Sequence, residues 1–195
     1  MGYVKNRIKE LSRESGGKIS ARKAAEKWFE DTVKNRRLTE ASYTRTRFEP
    51  GKIYVFEYNP ITENLPWFDR NPVVLALEQV DSNDLGINLN LLPVELKEQL
   101  LDDLYNRLEN QIDSASSGKK ALSAKSQKPL RITYDGMKAY LKRFGFDFAI
   151  RQYVPSRKTD QAVISYNRWP EIVLCDFIDL NGATVQQIRA MFSNR

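Results

Sequence analysis

The sequence predicts an α+β fold: a small, strongly bent antiparallel β-barrel or sheet of about five strands, SH3-like, with packed helices and a basic N-terminal arm. Three observations predict it. Runs of β-forming residues bounded by turn residues cluster between positions 50 and 91. An amphipathic helical repeat starts directly after them, at Pro93. Ahead of them, residues 1–49 carry 13 Lys/Arg against 7 Asp/Glu, with few apolar positions before Ala24.

Taken in order, residues 1–19 read as an arm that ends in the break Ser15-Gly16-Gly17. Ser20 is positioned to cap a helix from about Ala21 to Lys34, with Ala24, Ala25, Trp28, Phe29 and Val33 at helical spacing. Residues 1–49 thus form a basic segment with one helix, and residues 50–195 form the body. Lys52 to Tyr58 is a strand ended by Asn59-Pro60. Pro72 to Val80 is a largely buried strand, and Asp81 to Asp84 a tight polar turn. Leu85 to Leu91 alternates with period two, so these three strands make an antiparallel meander. Leu96, Leu100, Leu101, Leu104, Tyr105 and Leu108 mark one face of a helix to about Ile112. A flexible basic insertion is expected near 113–128. Thr133 caps a further helix that carries Met137, Tyr140, Leu141 and Phe144, with Gly145 as its stop. Ala149 to Val154 and Gln161 to Tyr166 look like a β pair around the loop Pro155 to Asp160. The tail holds an Asn181-Gly182 turn and a helix from Thr184 through Met191.

Composition excludes several chemistries. The chain has no histidine, which removes serine–histidine and cysteine–histidine triads and histidine-bearing zinc sites. Its single cysteine, Cys175, excludes an internal disulfide and a CxxC redox pair, and reads as a small buried hydrophobe. No apolar run approaches the ~20 residues of a membrane helix, and Met1 leads into Lys5, Arg7 and Lys9 without a signal-type apolar stretch. No membrane association and no cofactor are expected.

Charge is distributed in blocks. Residues 50–112 hold 4 Lys/Arg against 11 Asp/Glu, whereas residues 113–170 hold 12 against 4. Basic blocks attract phosphate backbones through counterion release, and the acidic block repels them. Asp84 followed by Glu95-Leu96-Lys97 superficially matches the metal-dependent nuclease pattern, but Pro93 sets Glu95 and Lys97 in the first turn of a helix. Asp102-Asp103 lies on the outer face of that helix, as a solvated pair. Leu65-Pro66-Trp67-Phe68-Asp69-Arg70 sets two large aromatics beside an ion-pair candidate. It closes a barrel end or forms a stacking rim.

Three stretches together resemble the DNA end protector proteins of T-even-type tailed phages. They are Gly51 to Tyr58, Leu65 to Pro72, and Leu85-Gly86-Ile87-Asn88-Leu89-Asn90-Leu91-Leu92-Pro93. The likeness covers roughly residues 20–110 well and Lys138 to Arg157 loosely. It departs at Trp67-Phe68, where the family pattern has two tyrosines, and at Asn90, where it has a ring. The resemblance implies a non-enzymatic virion protein that binds the ends of packaged double-stranded DNA and shields them from host exonuclease. It further implies other phage virion proteins (portal, neck or tail) as partners, and the virion and host cytoplasm as location. Under that reading the contacts are Arg36, Arg37, Arg45, Arg47, Lys138, Lys142, Arg143, Arg151, Arg157 and Lys158 as phosphate partners, with Trp67 stacking. The alternative is a virion structural subunit, in a neck, head–tail connector or baseplate, whose arm docks neighbouring proteins.

Overall fold

The computed structural model describes residues 2–36, 47–59, 69, 71–113, 132–175 and 187. Arg37, Arg45, Trp67, Phe68, nearly all of the 113–128 insertion, Asn181-Gly182 and the tail helix apart from Gln187 lie outside the described residues, as does the side chain of Arg36.

Among the described residues, five α-helices and five strands follow in the order α1 (Tyr3–Glu14), α2 (Lys18–Arg36), β1 (Ile53–Tyr58), β2 (Val73–Val80), β3 (Asn83–Asn88), α3 (Val94–Asp113), α4 (Tyr134–Lys142), β4 (Ile150–Tyr153), β5 (Lys158–Ile164) and α5 (Trp169–Leu174). The fold is α+β. All ladders are antiparallel and the strand order is β4-β3-β2-β1-β5, so β4 and β5 are the two edges of an open sheet.

The meander follows from local chemistry. Asp81 and Ser82 both adopt positive φ (49° and 69°), and Val80 pairs with Asn83 across them. This is the two-residue turn whose twist suits a hairpin, and short polar residues tolerate it best. β3 stops at Asn88, earlier than period-two alternation predicts. The Asn88 side chain accepts from the Asn90 amide at 3.0 Å, and Leu89–Leu91 close into a 3-10 turn. Gly86 allows close strand packing, because a Cβ there would fall 2.3 Å from Val74 Cγ1 and 2.8 Å from the Leu75 carbonyl oxygen.

Alternation along the strands builds two cores. Ile53, Val55, Val73, Leu75, Leu77, Leu85 and Ile87 face the helices, where they meet Leu100, Leu101, Leu104, Trp169 and Ile172. The opposite residues, Tyr54, Phe56, Val74, Ala76 and Tyr153, close around Phe48 in a second, aromatic core. Because both faces are covered, the first five residues of β2 are all buried.

Two expectations are corrected. Residues 1–19 are not an arm outside the core: α1 packs on α2, α3 and α5, and Val4 is wholly buried in the main core. Among the described residues two helices, not one, therefore precede the sheet, and α2 begins at Lys18, ahead of Ser20. Secondly, β4 and β5 do not pair with each other. β4 adds to the free side of β3 and β5 to the free side of β1, with the 3-10 turn Pro155–Arg157 between them.

Candidate nucleic-acid interface

Among the described residues, α4 presents a cationic surface. Thr133 caps it by accepting from the Gly136 amide at 3.3 Å, and Gly145, at φ 71°, follows its end. Met137 and Leu141 are buried, which fixes the helix's rotation and turns Lys138, Lys142 and Arg143 to solvent. Lys142 and Arg143 also sit at the negative end of the helix dipole, which favours cations there. The Lys138 ammonium lies 5.2 Å from the Tyr134 ring centroid, and its hydrogen bond to Tyr134 holds its pKa above the usual lysine value. All three side chains are exposed to solvent.

The other expected contacts divide. Arg47 is exposed and its Nη1 donates to Gln79 Oε1 at 2.6 Å. Arg157 is half-buried and donates to the Asn59 carbonyl at 3.2 Å. Arg151 stands half-buried on β4 opposite Gly86, and desolvation pushes its guanidinium pKa down. Arg36 ends α2, at the start of the stretch that carries Arg37 and Arg45.

Lys158 is a correction. Its side chain is 1% exposed and its ammonium donates to the wholly buried Asp84 carboxylate. It also lies 3.9 Å from the Phe48 ring centroid and 5.7 Å from that of Phe56. Burial pushes its pKa down, and the hydrogen bond to Asp84 pulls the other way. Lys158 is the cation of the aromatic core and does not reach a phosphate. A charged residue in a turn-rich basic stretch gives no local hint of this, because its partner lies 74 residues away.

The same pair dissolves the nuclease-like pattern. Asp84 also accepts from the Phe48 amide at 3.1 Å, Glu95 is exposed on α3, and Lys97 buries its ammonium against the Cys175 carbonyl at 2.7 Å. The three groups serve separate places and do not converge. Among the described residues no group of three or more His, Cys, Asp or Glu side chains is placed to hold a metal ion. Cys175 is buried, and desolvation pushes its thiol pKa up to about 12, so the thiolate is disfavoured. Among the described residues no helix is long and apolar enough to cross a membrane.

The links from Asp69 to Asn88 and Asn90, and the role of Asp102, went unread in the sequence. Asp69 accepts from the side chains of Asn88 (3.3 Å) and Asn90, and from the Asn71 amide (3.1 Å). This ties the chain following Trp67-Phe68 to the end of β3, and Asn88 and Asn90 are each only 5% exposed. Asp102 is no solvated acid. It accepts from the Val4 amide at 2.9 Å and the Lys5 amide at 3.3 Å, capping α1 from a neighbouring helix. The asparagines of Leu85 to Leu91 were a legible signal, being polar at positions where a two-sided strand should be apolar. Asp102 carried none.

A family model described as the phage T4 terminal DNA protecting protein matches residues 2–185. No curated protein and no solved structure matches the chain.

Proposed function

The chain belongs to the phage T4 terminal DNA protecting protein family, and from that premise we propose that it binds DNA ends and shields them from exonuclease without cutting DNA itself. The family match over nearly the whole chain carries this reading. The exposed cations of α4 support it as a phosphate-binding face, and Arg47, Arg157 and the Arg36-to-Arg45 stretch extend it. The dispersal of Asp84, Glu95 and Lys97 supports the non-enzymatic part. On this reading the protein travels in the virion beside portal, neck or tail proteins, and acts in the host cytoplasm during assembly and after injection. The structural-subunit alternative drew on a free arm that docks neighbouring proteins, and the docking of α1 on the chain's own core withdraws that support.

An SH3-like wrapping of the open sheet belongs to the same proposal. Only Val154–Arg157 separate the edge strands β4 and β5, and Tyr153 of β4 meets Tyr58 of β1 at 5.2 Å between ring centroids. Flat neighbouring strands stand ~4.8 Å apart, so a flat sheet would keep strands three places apart at ~14 Å.

The test is a titration of linear and closed circular duplexes of equal length at several salt concentrations. Linear DNA should win, and exonuclease digestion should slow in proportion to occupancy. Replacing Lys142 and Arg143 with alanine should flatten the slope of log affinity against log salt by about two units, at ~0.9 per phosphate contact. Trp67→Ala should lower the preference for ends if its ring stacks there, a contact worth ~1–3 kcal/mol per base in single-strand binders. Equal binding to circles would remove end protection. Magnesium- or manganese-dependent cleavage that is lost in Asp84→Asn and Glu95→Gln would remove the non-enzymatic assignment.

A further inference from the structure

Resting on the DNA-binding reading, we propose that the outward face of α1 is a second contact surface for the phosphate backbone of duplex DNA, formed by Lys5, Lys9 and Arg13. These residues recur at i, i+4 and i+8, within an arc of about 80° on a helix of 3.6 residues per turn. All three are exposed.

The helix segregates its charge. Its two acids, Glu10 and Glu14, lie on the adjacent flank, where Arg7 takes both at 2.9 and 3.1 Å. From the neighbouring α3, Glu98 stands 3.6 Å from the Lys5 ammonium, with both side chains partly exposed, so a phosphate can compete for Lys5. A second α3 acid, Asp102, is turned to the Val4 and Lys5 amides. The outer side of α2 lacks such segregation, because Glu30 falls between Lys27 and Lys34.

The mounting suits a contact surface. Val4 is wholly buried, Tyr3 stacks on Tyr105 at 4.0 Å, and Ile8 packs on the core, so the cations ride on a fixed helix and little ordering is left for binding. A helix rises 1.5 Å per residue, which spaces successive members of the row by about 6 Å. A cationic row without hydrogen-bonding variety reads backbone, not base or end. α1 therefore adds affinity to any duplex, while end preference resides elsewhere.

The test compares the wild-type full chain with the triple variant Lys5→Ala/Lys9→Ala/Arg13→Ala, on linear and on closed circular duplex across a salt series. The expected result is a slope flatter by about 2–3 units, at ~0.9 per contact, and an equal fold-loss on both DNA forms. Lys5→Arg/Lys9→Arg/Arg13→Lys, which keeps the charge, should retain the wild-type slope. If the alanine variant melts early, the single Lys9→Gln variant replaces it, with a change of about 0.9 expected. An unchanged slope overturns the proposal and leaves DNA binding standing, and the ridge would then fit an acidic protein surface instead. Loss on linear DNA alone also overturns it. Failure of the wild type to bind any duplex at low salt refutes the function proposed above, and this surface with it.

Discussion

Replacing Asp102 with alanine removes a cap that one helix supplies to another. Its Oδ1 accepts from Val4 and Lys5, at a helix N-terminus whose own preceding residue, Gly2, makes no side-chain cap. Loss of a capping acceptor costs about 0.5–2 kcal/mol, and with two amides affected the upper half of that range is expected. The loss propagates if α1 loosens, since burial of Val4 is worth about 1.5–3 kcal/mol and the Tyr3–Tyr105 stack about 0.5–1.5 kcal/mol. For a chain of this size each kcal/mol lowers Tm by roughly 2–4 °C, so Asp102→Ala should fall by about 3–8 °C. Asp102→Asn, which keeps an acceptor oxygen, should fall less. The assay is thermal unfolding followed by circular dichroism, with limited proteolysis at Arg7 and Arg13 reporting local release of α1. Gly2→Ala provides an independent check, because its Cβ would land 1.8 Å from Asp102 Oδ2 and force the same contact apart. If Asp102→Ala melts within 1 °C of wild type and α1 is cut no faster, the docking contributes nothing and residues 1–19 behave as a free arm after all.

Removing one partner of the buried Lys158–Asp84 pair should cost about 3–5 kcal/mol, while the Lys158→Met/Asp84→Leu double variant should be less damaged than either single one. Urea midpoints decide this, and equal or greater damage in the double variant would refute the reading of an uncompensated charge. Gly86→Ala should destabilise by about 1–3 kcal/mol, since its Cβ meets Val74 and the Leu75 backbone; an unchanged denaturation midpoint would contradict that packing. Cys175 has a folded pKa of about 12 against an ordinary 9.0, so its contribution to stability is whole below pH 9 and is lost as pH rises towards 12. Stability measured at pH 8 and pH 10 should therefore fall more steeply in wild type than in Cys175→Ala, and parallel profiles would count against a buried thiol.

What the sequence determined by itself is what local physics fixes. Alternation of apolar residues and short polar turns specified β1, β2, the Asp81-Ser82 hairpin and the leucine face of α3, because period and turn chemistry act within a few residues. Thr133 and Gly145 bracketed α4 for the same reason, and that bracketing made Lys138, Lys142 and Arg143 legible as an outward cationic face. The tertiary structure alone decided which polar groups meet water and which meet each other. Lys158 looked like its basic neighbours until Asp84, 74 residues earlier, supplied a buried counter-charge. Residues 1–19 looked like an arm until Asp102, 98 residues beyond Val4, capped α1 and brought Val4 into the core. β4 and β5 looked like partners in one hairpin until each found a free strand edge elsewhere. In each case the local pattern names a group that needs a hydrogen bond, a counter-ion or an apolar neighbour. Only the folded chain determines who supplies it, since that supplier is distant in sequence and selected by packing.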